Sequence, residues 1–184
     1  PYSSRHLYGI LEDGSPVFKV NIPSEINEKG VGEGPLNMIG KKDENGVYVF
    51  RHCTGALPVH LSNMPSGDLL VALSADGHIA GSYDVDMAEL LLDYNSCTSP
   101  ENTCTARVHS DDLGNAVAFF PLVPGSYSGL SVTVYDASGD EVMSEAFSQK
   151  ITVETGRFYD LSVEFVIDTS ADFSRWFDGT VYEN

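Results

Sequence analysis

From Val47 onward the chain alternates apolar and polar residues with a period of two, the pattern of strands that bury one face. In LSVTVY, Leu130, Val132 and Val134 face one way while Ser131, Thr133 and Tyr135 face the other. DASGD follows, with Asp136 and Gly139 supplying turn chemistry, and VMSEAF then resumes the extended pattern. This predicts a hairpin. ITVE and LSVEFV predict two more strands, with Leu161, Val163 and Phe165 alternating against Ser162 and Glu164, and Thr155-Gly156-Arg157 as the turn between them. Upstream, strands are predicted over 17–22, 47–52, 56–62, 69–74, 78–85, 105–110 and 116–121. Roughly ten short strands at close spacing need a second sheet to cover their apolar faces. The expected fold is therefore all-β, a two-layer β-sandwich with at most one or two short helices.

Two stretches depart from that pattern. Residues 23–46 are rich in Gly, Glu, Asn and Lys, include Pro23 and Pro35, and have little periodicity, so they read as a long aperiodic loop. In DMAELLLDY, Met87, Leu90, Leu91 and Tyr94 fall at i, i+3, i+4 and i+7, a helical spacing. Phe173, Trp176 and Phe177 repeat it after possible caps at Thr169 and Ser170. They predict either a short terminal helix packed on the sandwich or an aromatic segment that docks on a neighbouring subunit. The organisation expected is a sandwich domain over 1–167 and an acidic, aromatic tail over 168–184.

The formal charge of −17, from 27 acidic and 10 basic residues, argues against nucleic acid, which needs a basic face to displace counterions. It also disfavours anionic lipid and favours solubility. No apolar stretch approaches the roughly 18 residues that span a bilayer. Pro1-Tyr2-Ser3-Ser4 lacks the basic and apolar run of a secretory signal, so the chain is expected to be a mature or trimmed portion. Among three cysteines, Cys97 and Cys104 lie in the polar loop NSCTSPENTC, where a disulfide is expected and would contribute about 2.5 kcal/mol on a chain-entropy account. Such a bridge fits an oxidising, extracytoplasmic compartment. Cys53, in an apolar stretch, reads as a buried thiol.

Catalytic spacing is missing: the sequence holds no GxSxG, HExxH, P-loop or GxGxxG. His6, His52, His60, His78 and His109 are scattered, although His52 and His60 could approach across a hairpin. Asp136–Asp140 only partly meets the ligand pattern of a calcium loop. A sugar platform could draw on Tyr127, Tyr135, Tyr159, Trp176 and Tyr182, which sandwich cores and edges use equally. No catalytic, cofactor or metal residue is assigned, and the chain reads as a non-enzyme without cofactor.

The section AFFPLVPGSYSGLSVTVYDASGDEVMSEAFSQKITVETGRFYDLSVEF resembles the closing part of fimbrillin-like surface proteins of Gram-negative anaerobes. The likeness rests on Pro124-Gly125-Ser126-Tyr127, the hairpin around Asp-x-x-Gly, and the last strands after a Gly turn. PYSS, VFRHCTGALPVHL with Phe50 and His52, and HIAGSYDV with Ala80-Gly81 are similar to earlier motifs of that family, in the same order, over about three quarters of the chain. The resemblance implies a transthyretin-like sandwich serving as a fimbrial (pilus) subunit, tip protein or outer-membrane lipoprotein at the cell surface. It also implies assembly with other fimbrial or surface subunits by strand donation, and adhesion to host or bacterial surface ligands. The lipobox cysteine and early strands of that family are not found before PYSS, so a longer precursor is expected. The tail after Phe165 has no family counterpart. The alternative is a non-polymerising surface module that binds a ligand or carbohydrate.

Overall fold

Alternation decides which face of each strand goes inside, and the strands then sort into facing sheets. The computed structural model describes residues 7–10, 16–26 and 38–164. Its strands are numbered β1 to β17 in chain order. One sheet contains β3 (Glu25–Ile26), β7 (Gly67–Ser74), β11 (Thr103–Ser110), β14 (Leu130–Tyr135) and β15 (Glu141–Phe147) in the order β15-β14-β7-β11-β3. All its pairings are antiparallel except that of β3 with β11. The second contains β6 (Gly55–Ser62), β12 (Ala116–Leu122) and β17 (Leu161–Glu164) in the order β12-β6-β17, with β17 parallel to β6.

The main core lies between these two sheets. Leu69, Val71 and Leu73 of β7, Val132 and Val134 of β14, and Ala106 of β11 are buried together with Leu57, Val59 and Leu61 of β6, Phe120 of β12 and Val163 of β17. The all-β sandwich read from the alternation is therefore the fold. Truncating a side chain as enclosed as Phe120 to alanine costs about 3–5 kcal/mol in such cores.

A smaller core sits under a third sheet, formed by β1 (Leu7–Ile10), β2 (Pro16–Ile22), β8 (Ala80–Asp86) and β10 (Thr98–Glu101), with β9 (Leu91–Leu92) paired to β8. It gathers Val20, Ile22, Tyr83, Leu90, Leu92, Cys53, Val123 and Ile39. Two short ribbons complete the structure: β13 (Gly125–Tyr127) with β16 (Ile151–Val153), and β4 (Met38–Lys42) with β5 (Tyr48–His52). β3 and β4 both fall in the stretch 23–46 that was expected to be an aperiodic loop, and β10 lies in the polar segment around the cysteines.

The helix expected over Met87–Tyr94 does not form. Asp86 accepts hydrogen bonds from the N–H groups of Ala88 and Glu89 through Oδ1, closing a turn that competes with helix. Leu90 then adopts a positive φ of 58°. Leu90 and Leu92 are buried with Leu91 turned outward, 41% exposed, so the local period is two. Among the described residues the helical element is one 3-10 turn, Tyr94–Ser96, capped by Asp93.

Three connections share one construction. In Asp43–Val47, Asp111–Asn115 and Asp136–Asp140, the first aspartate's Oδ1 accepts from the N–H groups two and four residues on. The fourth residue is a glycine of positive φ. The Asp111 carboxyl is held below its ordinary value, first by the N–H of Asn115. Its contribution to stability is thus complete above about pH 4 and is lost as the pH falls through the lowered value.

The glycines of two of these loops meet different surroundings. A Cβ at Gly139 would touch nothing, whereas one at Gly114 would come 2.7 Å from the carbonyl oxygen of Met64. Gly139→Ala should cost about 1 kcal/mol, the left-handed backbone alone, and Gly114→Ala distinctly more. Urea midpoints of the two variants check this, and equal losses would contradict the close approach at Met64.

Candidate functional site

The β4–β5 ribbon presents the most exposed run of large apolar side chains among the described residues. Its tip is the Asp43–Val47 loop, where Asp43 N donates to the carbonyl of Val47 at 2.8 Å and Gly46 N donates to that of Asp43 at 3.0 Å. The register that follows pairs Lys42 with Tyr48, Gly40 with Phe50 and Met38 with His52. A period of two then sorts the ribbon into two faces.

The inner face attaches the ribbon to the smaller core. Ile39 is 8% exposed and belongs to that cluster. Lys41 reaches across to the 86–90 turn, donating from Nζ to the carbonyls of Met87 and Ala88. A cleft of about 150 Å³ lies between Lys41, Val49 and Arg51 of the ribbon and Ala88–Leu90.

The outer face carries an aromatic pair. Tyr48 and Phe50 are each 60% exposed, with ring centres 6.3 Å apart and planes inclined by 27°. Phe50 lies over the backbone of Gly40, where a Cβ would come 2.6 Å from its ring carbons. The ammonium of Lys42 sits 5.2 Å from the centre of the Tyr48 ring, within cation–π range. The result is a shelf two rings long, with the Lys42 ammonium over the Tyr48 ring and His52 next along the same face of β5.

The groups singled out in the sequence lie elsewhere. His60 pairs with Asp160 at 3.3 Å and His109 with Asp68 at 2.8 Å, while His78 stacks on Tyr94 with ring centres 4.3 Å apart. His60 does not approach His52 across a hairpin, since it stands between Val117 and Ser162 in its sheet. Asp136 spends its carboxylate on the N–H groups of Ser138 and Asp140. Among the described residues no three His, Cys, Asp or Glu side chains gather to hold a metal ion.

Tyr127 and Tyr159, available in the sequence for a sugar platform, do not form one. Tyr127 is buried and donates its hydroxyl to the Val123 carbonyl at 2.6 Å, and burial pushes its pKa up. The Tyr159 hydroxyl accepts from Glu154 N at 2.9 Å. Phe173, Trp176 and Phe177, read as a terminal helix packed on the sandwich or a segment docking on a neighbour, lie outside the described residues, as does Tyr182. The residues overlooked were Tyr48 and Phe50. Their signal was an Asp43-x-x-Gly46 turn ahead of VYVFRH, the same turn recognised at Asp136-x-x-Gly139.

No family model matches the chain, and no curated protein matches it in sequence. Several solved structures are similar, among them three that carry the name "putative cell adhesion protein". The one from Bacteroides ovatus is 15% identical with a TM-score of 0.49, over 85% of this chain and 65% of its own. That from Bacteroides uniformis is 17% identical with a TM-score of 0.46, over 81% and 60%. The Bacteroides fragilis structure is 11% identical with a TM-score of 0.46, over 89% and 58%. The chain thus spans less than two thirds of the length of each. At these identities and scores the likeness carries no functional inference.

The disulfide expected between Cys97 and Cys104 is not formed, and all three cysteines are thiols. The alternation of β11 turns Cys104 into the main core, where its Sγ donates to the Pro23 carbonyl at 3.4 Å. Cys97 packs against the smaller core instead. Burial pushes the thiols of Cys53 and Cys104 up to about 12, so neither supplies thiolate near neutral pH. Cys97 is half-buried. Alkylation of the native protein at pH 8 should modify Cys97 alone, and three thiols should react after unfolding. One reactive thiol after unfolding would restore the disulfide.

Proposed function

We propose that the chain is a non-catalytic cell-surface adhesion module of the fimbrial-subunit kind, displayed outside the cell, that meets its partners through the β4–β5 ribbon. The observation that carries this reading is the exposed aromatic face of a two-stranded sheet in a chain of charge −17. Large exposed apolar patches mark interaction sites, and the rest of this surface repels its like.

The mode of assembly proposed is strand addition. The bond from Asp43 N to the Val47 carbonyl makes that pair a hydrogen-bonded one. By alternation Lys42–Tyr48 and Gly40–Phe50 are non-hydrogen-bonded pairs, whose N–H and C=O groups point away from the partner strand. Among the described residues no strand pairs with the outer side of β5. An added strand would bond to Tyr48 and Phe50 there, gaining main-chain affinity and register from alternate side chains. The acidic tail with Phe173, Trp176 and Phe177 remains a proposed docking element beside it.

Retention on immobilised mucin, collagen, fibronectin and the chain itself tests the adhesive reading. Wild type should be held on at least one surface, and Tyr48→Ser/Phe50→Ser should lose it. Val117→Ser/Phe158→Ser, at another exposed apolar site, should not. No retention anywhere, or equal retention by the ribbon variant, would overturn the proposal. Phe50→Pro and Phe50→Ser both remove the ring, but only proline removes the outward N–H. Strand addition requires self-association, read by sedimentation, to fall further in the proline variant, and equal behaviour would rule it out.

A further inference from the structure

The outer face of the ribbon differs from an ordinary protein-docking surface in shape. Binding hot spots between proteins concentrate in pockets that enclose a side chain. Here the two rings lie in a row, near-parallel at 27° and 6.3 Å apart, and Phe50 is laid flat by the missing side chain of Gly40. The ribbon's cleft is on the opposite face, under Lys41 and Arg51. A flat apolar shelf with polar groups at its ends suits an occupant that is itself flat and apolar on one side and polar at its rim. A pyranose ring has that form: its C–H bonds make an apolar face and its hydroxyls lie around the edge.

Charge narrows the occupant further. The two strands hold Lys41, Lys42 and Arg51, three of the chain's ten Lys and Arg residues, and no Asp or Glu. Lys41 and Arg51 face the inner cleft, so the outer shelf has Lys42 as its one cation from these strands, on a chain of −17. The nearest acid at the tip, Asp43, is engaged with the N–H groups of Asn45 and Val47. Glu44 is its exposed neighbour. At physiological ionic strength the Debye length is about 8 Å, so charges elsewhere on the body are screened while Lys42, beside the shelf, is not.

Resting on the reading of the ribbon as the adhesive element, we propose that its outer face is a subsite for a linear acidic glycan, with successive pyranose rings lying on Tyr48 and Phe50 and a uronate carboxylate paired with Lys42. Lys42 is placed for this by its cross-strand pairing with Tyr48. The 6.3 Å ring spacing runs along the strand, so the glycan follows β5 and the subsite recognises a chain, not a single sugar.

Calorimetric titration of the intact chain with a galacturonic acid hexamer, and with the same hexamer fully methyl-esterified, tests this directly. The acid form should bind with a Kd on the order of 0.1–1 mM, and the ester several-fold more weakly. Lys42→Gln should erase the difference by lowering affinity for the acid about fivefold, with ester binding unchanged. Glu44→Gln should strengthen acid binding about twofold. Tyr48→Ser and Phe50→Ser should each weaken both oligomers about tenfold. Gly40→Ala keeps both rings but lifts Phe50 off the backbone, so it should weaken both oligomers while the melting temperature holds.

Absence of heat with either oligomer at millimolar concentration would overturn the subsite. So would equal competition by a poly-glutamate peptide, which would make the face a charge-only site for protein. Surface retention that is lost in the Tyr48→Ser/Phe50→Ser variant, with no oligomer bound, would sink the glycan subsite and leave the adhesive reading standing. Oligomer binding without retention on any surface would do the reverse.

Discussion

A carboxylate that accepts two backbone N–H groups sets the register on which both the core and the ribbon depend. In Asp136–Asp140 it aligns β14 with β15, so that Val132 and Val134 enter the main core. In Asp43–Val47 it aligns β4 with β5, so that Ile39 enters the smaller core and Tyr48 and Phe50 are left outside. A slip of one residue would exchange the faces. It would bury Tyr48 and Phe50 against the 86–90 turn and expose Ile39. The loop chemistry is local and weak, but it decides which of two faces meets water.

Strand existence was legible wherever one face of a strand is polar. Leu130–Tyr135 and Thr103–Ser110 read correctly because the alternation in residue type matches the alternation in burial. The same rule fails in Met87–Leu92, where leucines at helical spacing are also compatible with a turn and a short strand. There the Asp86 side chain tips the balance by bonding Ala88 and Glu89. It also failed in 23–46, where the turn aspartate and glycine were present but Met38–Lys42 offers little apolar contrast. The cysteines misled for a related reason. The stretch from Cys97 to Cys104 is polar enough to read as loop, yet Thr98–Glu101 is a strand and the next begins at Thr103, and Cys97 and Cys104 go to different cores.

The candidate site was less legible than the fold because exposure is a tertiary property. VYVFRH reads as a strand with large residues on both faces, which normally means burial on both sides. Nothing in that hexapeptide says that one face lacks a covering layer. The tyrosines that looked available, Tyr127 and Tyr159, are instead tied to backbone groups, as the polar ends of buried tyrosines usually are. Only the pairing of Gly40 with Phe50 hints at an outer role. A glycine opposite an aromatic residue lets the ring settle on the strand instead of packing against another sheet.

Charge gives the ribbon a direction as well as an exposure. Two ribbons meeting by their outer faces would oppose Lys42 to its own copy, so like charges would sit across a thin contact. A ribbon meeting the acidic body of another copy, or an acidic chain of another kind, has opposite charges in contact. The first arrangement is isologous and closes as a dimer, whereas the second is heterologous and need not close. The −17 charge of the chain therefore bears on contact in two ways. It opposes contact between the bodies of two copies, and it favours opposite charges in the ribbon contact that the proposed assembly requires.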